Sequence, residues 1–189
     1  MVGHGLLHDG PGSDPGRQPP QGVGQARSGR LNGRGHDRPL VGVSSCLMGE
    51  NVRWNGGHKR NAAVTERLAD ELRLLPVCPE LECGLGVPRP PLVLAPGTAR
   101  LLERKGGIDH SETMRKWAGT KLDRLAAMGL AGYILKARSP SCALVERRGF
   151  FTRLLLARFP GMPTVDESML ADEAACRDLV ARARAYAAR

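Results

Sequence analysis

The sequence predicts an α/β domain with a mostly parallel sheet flanked by helices. Three observations carry that reading. Short apolar runs recur at 40–43, 75–78 and 132–136 and read as buried strands. Stretches with apolar residues at helical spacing stand between and after them. Each run leads into a polar loop rich in Ser or Pro, which is how a strand ends.

Order is expected from Pro39 onward. Leu40-Val41-Gly42-Val43 forms the first strand and feeds Ser44-Ser45-Cys46. Asn55-Gly56-Gly57 is a turn. Val64, Leu68 and Leu72 place a helix over 61–74. Leu75-Pro76-Val77 is a second strand that runs into Cys78-Pro79. Pro88, Pro90 and Pro91 exclude a helix after it, and 92–101, around Pro96-Gly97, reads as a β-hairpin. A second helix starts at Ser111 as N-cap with Glu112 in its first turn. Met114, Trp117, Ala118, Leu122 and Leu125 form its apolar stripe, and Gly129 ends it. The third strand, 132–136, again leads to a cysteine loop. A short helix over 150–159 stops at Pro160-Gly161, and a last one over 171–187 places Cys176, Leu179, Val180, Ala183 and Tyr186 on one side. Strands alternating with helices in this order give a Rossmann-like sheet, in which ligands bind outside the carboxyl ends of the strands.

Residues 1–38 hold ten glycines and four prolines without apolar periodicity. They are expected to be a disordered tail, with residues 39–189 as the single folded domain. No stretch approaches the ~20 apolar residues of a membrane span, and no secretory signal is legible, so the expected location is the cytoplasm. A net charge of +9 suits a phosphorylated small molecule or nucleic acid. No Lys/Arg block or aromatic–basic platform appears, so nucleic acid is disfavoured as a partner. Trp54 and Trp117 read as packing residues.

Five cysteines, an odd count, argue against a disulfide framework in a non-secreted chain. Cys46, Cys78 and Cys142 share one address, the loop just after an apolar strand. A parallel sheet brings such loops to one edge. They lie 32 and 64 residues apart, so only the fold can assemble them. Three thiolates suit a [4Fe–4S] cluster with one unligated iron, or a zinc with an open position. The alternative is three inert core thiols, against which the polar, Pro-rich settings speak.

Three blocks carry a resemblance: SSCLMGENVRWNGGHKRN, PVCPELECGLGVPRPP and LKARSPSCAL. In order, over roughly 39–170, they resemble the signature blocks of a bacterial family of thiouracil and thiouridine desulfidases, long classed as a domain of unknown function. The GLGVPRPP form and the 150–167 stretch are most similar to members fused to a further C-terminal domain, which this chain is expected to lack. The resemblance implies an α/β domain and a [4Fe–4S] cluster held by Cys46, Cys78 and Cys142. It further implies non-redox, hydrolytic release of sulfide from a thiolated pyrimidine base, nucleoside or nucleotide. Glu80 matches the family's catalytic acid/base and Ser139 its assisting serine. Ala143 stands where the family usually has Gly, and Cys83 where it usually has an apolar residue. The alternative function is a non-catalytic iron–sulfur or zinc-binding module in sulfur metabolism or regulation.

Other residues near the cysteines are candidates for lining the pocket. Ser45, Arg53, Asn55, His58 and Arg89 are expected to bind substrate, with Arg53 or Lys59 available to a phosphate. Turn formation, solvation or loop anchoring are the alternatives for these. Lys136 and Arg138 either offset cluster charge or stay solvated. Cys176 is expected to be structural.

Overall fold

A computed structural model describes residues 38–145 and 147–189. Apart from Arg38, the expected disordered tail lies outside these. Six strands and three helices follow in order: β1 (Leu40–Ser44), β2 (Arg73–Val77), β3 (Leu92–Leu94), β4 (Leu101–Glu103), α1 (Ser111–Ala127), β5 (Leu130–Leu135), α2 (Phe150–Arg158), β6 (Thr164–Asp166) and α3 (Glu173–Ala187). The main sheet has the order β2-β1-β5-β6 with every pairing parallel. The expected α/β architecture is therefore present. All residues of β1 and β5 are buried, as strands covered on both faces must be.

Each face of the sheet has its own core. On one, Val41, Val43, Ile134 and Val165 pack against Leu179, Val180 and Ala183 of α3, and against Val64, Leu68 and Leu72. On the other, Tyr133 and Leu135 pack against Leu122 and Leu125 of α1 and Phe151 and Leu155 of α2. The β3–β4 hairpin, antiparallel as expected, lies against Met114 and Phe150 near the starts of α1 and α2. Gly42 explains how β1 and β5 fit. A Cβ there would come within 2.4 Å of the Tyr133 ring, which lies over it.

Three expectations are corrected. The helix over 61–74 is only a π-helical turn at Ala63–Arg67. β-branched Val64 and Thr65 resist a longer helix, the Thr65 hydroxyl bonds the Asn61 carbonyl at 3.2 Å, and the chain must return to begin β2 at Arg73. Val64, Leu68 and Leu72 are nevertheless buried, so the periodicity identified the inward face. Ser111 is not the N-cap of α1. It is the first helical residue, and its hydroxyl accepts from the Leu101 amide at 2.8 Å, tying the hairpin to the helix. Finally, β6 was not expected, because three residues leave no periodicity to read. Among the described residues no helix is long and apolar enough to cross a membrane.

Candidate functional site

The strand ends converge as a parallel sheet requires. A cavity of ≈ 300 Å³ opens beyond the carboxyl ends of β1, β2 and β5, at the small end of small-molecule sites. Cys46, Cys78 and Cys142 line it together with Ser45, Arg53, Glu80, Arg89 and Ser139. Cys46 sits in the short turn Ser45–Met48 after β1. Its carbonyl accepts from the Lys59 amide at 2.8 Å, folding loop 50–59 back over the site. Cys78 follows β2. Its amide donates to Glu82 Oε1 at 3.0 Å, and Glu82 is paired with Lys121 of α1 at 2.8 Å. Cys142 lies beyond β5 in a loop whose Pro140 and Ser141 carbonyls accept from the Phe150, Phe151 and Thr152 amides at the start of α2. The Thr152 hydroxyl adds a bond to the Cys142 carbonyl at 2.9 Å.

Burial pushes all three thiols upward. Cys46 rises to about 11, with the neighbouring Cys78 adding to the effect of burial. Cys78 is raised chiefly by burial. Cys142 is raised furthest by burial, partly opposed by a hydrogen bond to Ser44 and reinforced by Cys78, Glu80 and Cys46. Cys46 and Cys142 are thus each raised further by a neighbouring cavity cysteine. Cys83 and Cys176 are outside the cavity. The Cys83 sulfur contacts the Glu80 carbonyl at 3.4 Å, and burial raises its thiol to about 11. Cys176 is buried on α3 in the core that covers the α3 face of the sheet.

Glu80 is held from two sides. Arg89 donates to Oε2 through Nε at 2.9 Å and pairs with it through the terminal Nη2 at 2.7 Å, while the Ser141 hydroxyl donates to Oε1 at 2.8 Å. The ion pair is nearly buried, with side chains 4% and 12% exposed. Arg89 also donates to the carbonyls of Gly86 at 2.7 Å and Val52 at 2.9 Å. It therefore anchors loops and aims Glu80, and it is not free for substrate. The Ser139 hydroxyl accepts from the Ser141 and Cys142 amides at 3.2 and 3.1 Å, closing the turn that presents Cys142.

Asn55 and His58 are not brought to the cavity. Asn55 Oδ1 accepts from the Gly57 amide at 3.3 Å and His58 Nδ1 from the Arg60 amide at 3.1 Å. Both serve the turn that lifts the loop. Two contributors were missed. Trp54, expected to be a packing residue, is 43% exposed and lines the cavity. Ser141 is fully buried and reaches Glu80 across 61 residues of sequence. The SPSC block contained it, but nothing in the sequence distinguishes it from Ser139. Lys59, Arg104 and Arg138 also line the cavity, as does Lys136, which is held by Glu167. Glu167 also accepts from the Ala137 amide at 2.5 Å. Arg138 has a left-handed φ of 56°, a conformation that non-glycine residues hold where surroundings enforce it.

Comparison with known proteins agrees with this geometry. The sequence model of a family described as 2-thiouracil desulfurase matches residues 41–167. Uncharacterized protein YbbK of Bacillus subtilis (strain 168) is 32% identical over 110 residues, 54% of this chain and 72% of that one. Among solved structures, a [4Fe-4S]-dependent thiouracil desulfidase, TudS (DUF523Vcz), is similar with a TM-score of 0.63 at 28% identity, over 75% of this chain and 99% of that chain. The match over 41–167 spans every strand of the main sheet and all three cavity cysteines, and the chain belongs to the 2-thiouracil desulfurase family.

Proposed function

We propose that this chain is a desulfidase that removes sulfur from a thiolated pyrimidine at a [4Fe–4S] cluster held by Cys46, Cys78 and Cys142. The observation that carries the reading is the convergence of these three thiols on one cavity beside a positioned carboxylate. The donor set fits the group. It is all sulfur, which suits iron–sulfur ligation and disfavours Mg or Ca, and Glu80 is committed elsewhere. Burial and mutual repulsion oppose three thiolates here, so ionised sulfurs require a positive core between them.

When bound, the cluster supplies a soft Lewis-acid iron that attracts the thiocarbonyl sulfur and leaves its carbon open to water. Glu80 takes a proton from that water as oxygen bonds to the carbon. The C–S bond then breaks as the first proton passes from Glu80 to the departing sulfur and the second leaves the new hydroxyl, whose oxygen becomes the carbonyl, and the products are the oxo-pyrimidine and sulfide. Atoms balance with water as the only co-reactant, and no electron is exchanged. Arg89 and Ser141 keep the carboxylate aimed through this sequence, and the Ser139 turn fixes the floor of the site. Trp54 offers an exposed indole on which a pyrimidine can stack. Arg53, Lys59, Arg104 and Arg138 favour an anionic substrate, which supports the nucleotide over the free base.

The test is anaerobic reconstitution with iron and sulfide, followed by incubation with thiouracil, thiouridine and thiouridine monophosphate. Visible absorption of a bound cluster and stoichiometric sulfide with the matching oxo-pyrimidine are expected. A loaded protein that releases sulfide from none of the three would leave the non-catalytic iron–sulfur module as the better reading.

A further inference from the structure

Two buried side-chain polar atoms lack a hydrogen-bond partner among the described residues: Arg38 Nε, before β1 at the opposite end of the sheet, and the Tyr133 hydroxyl. Tyr133 is fully buried in β5. Its ring packs against Phe151 with centroids 5.8 Å apart, in the core cluster that contains Cys142 and Val77, the residue before Cys78. The ring lies over Gly42 of β1, with Cε2 and Cζ within 2.4 and 3.1 Å of where a Cβ would stand. Only a glycine in β1 admits a ring in that position. A phenylalanine would fill the same volume without burying an unpaired hydroxyl, so the hydroxyl calls for an acceptor that the bare fold does not offer.

Candidate acceptors are few. Cys142 shares the buried cluster of Tyr133, and Phe151, on which the ring packs, donates its amide to the Ser141 carbonyl next to Cys142, whereas Cys78 packs against the other core. Glu82 is already engaged at both oxygens, by the Cys78 amide and by Lys121. A neutral thiol is a weak acceptor, whereas a thiolate is a strong one. We propose that the Tyr133 hydroxyl donates a hydrogen bond to the Cys142 sulfur once that sulfur is a metal-bound thiolate. Tyr133 is then a positioning residue for the third ligand. Donors of this kind to ligand sulfurs orient the ligand and tune the metal centre. The inference rests on the reading that Cys142 is a cluster ligand.

Tyr133→Phe tests it with readouts other than turnover. Wild type and variant are reconstituted anaerobically. Three quantities are compared: melting of the metal-free protein, the rate at which an iron chelator strips the cluster, and the iron–thiolate stretching bands in resonance Raman spectra. The metal-free variant should melt at the same temperature or higher, because its hydroxyl had no partner to lose. The cluster should be stripped roughly tenfold faster, the scale of one hydrogen bond to a charged group. The iron–thiolate bands should move to higher frequency as the bond to sulfur is removed. A metal-free variant that melts lower, with stripping rate and bands unchanged, overturns the proposal in favour of a structural hydroxyl. If the wild type takes up no cluster, the reading beneath it fails as well. If the wild type loads and the variant is indistinguishable from it, only this inference falls.

Discussion

The two walls of the cavity are built on opposite principles. On the Glu80 wall the polar groups are committed. The carboxylate is held by Arg89 and Ser141, Arg89 by two further carbonyls, and the Ser139 hydroxyl by two amides. Elsewhere in the lining, which we call the rim, Arg53, Lys59, Arg104 and Arg138 border the same space, yet among the described residues none of them pairs with a carboxylate. A wall that must act on a bond gains from groups that need no reorganisation during reaction. A rim that must capture an anion gains from cations not already neutralised. Under the proposed function, chemistry belongs to the first group and recognition to the second, and each assignment can be broken separately.

The committed wall should give the largest effects. Cys78→Ser replaces a soft ligand by a hard one, and loss of bound iron and of all sulfide release is expected, checked by iron content and visible absorption. Glu80→Gln keeps the side chain's shape and an oxygen for Ser141 but removes the proton acceptor. The cluster's spectrum should persist while the sulfide-release rate falls by ~10²-fold or more, the scale of a positioned acid/base. Normal turnover in that variant with an intact cluster would move the base elsewhere and leave Glu80 as the counter-ion of Arg89.

What the sequence revealed of this wall depended on range. β1 and β5 were legible because strands buried on both faces leave unbroken apolar runs, and a cysteine just beyond each run marks the common edge of a parallel sheet. The helix over 61–74 was over-read because Leu68 and Leu72 reach the core from a turn as well as from a helix would. Glu80 and the cysteines were legible through local motifs. Ser141 and Arg89 were not assigned their contacts, because a partner 61 residues away for one and 37 for the other leaves no local trace. Asn55 and His58 sat in a motif near Cys46, and proximity in sequence did not carry their side chains to the cavity.

A smaller effect on the same wall comes from Gly149, which no motif singled out. A Cβ there would stand 2.4 Å from the carbonyl of Ser141 and 2.6 Å from the amide of Cys142, both backbone atoms that cannot swing aside. The glycine lets the start of α2 pack directly on the third cysteine loop. Gly149→Ala should destabilise the fold by about 1–3 kcal/mol, as overpacking does, read by denaturant midpoint. It should also lower cluster occupancy at limiting iron. Full occupancy and unchanged stability would mean that the loop tolerates displacement, and the wall would be less rigid than its hydrogen bonds suggest.

The free rim should give the smallest effects and the most discriminating ones. Arg104 follows β4 and is exposed, whereas Arg53 is half-buried and close enough to Cys46 to favour its ionised form. Arg104→Gln removes a screened charge at the mouth, and such charges contribute little each. KM for thiouridine monophosphate should rise about two- to fivefold, with kcat unchanged and thiouracil turned over as before. Raising ionic strength in the wild type should reproduce that loss for the nucleotide alone, since screening acts on exposed charge. Arg53→Gln should instead affect base and nucleotide together, because its charge also reaches a ligand sulfur. If Arg104→Gln weakens both substrates equally, the rim recognises no phosphate. The division between a wall that reacts and a rim that selects would then have to be redrawn with Arg104 among the groups that shape the cluster's surroundings.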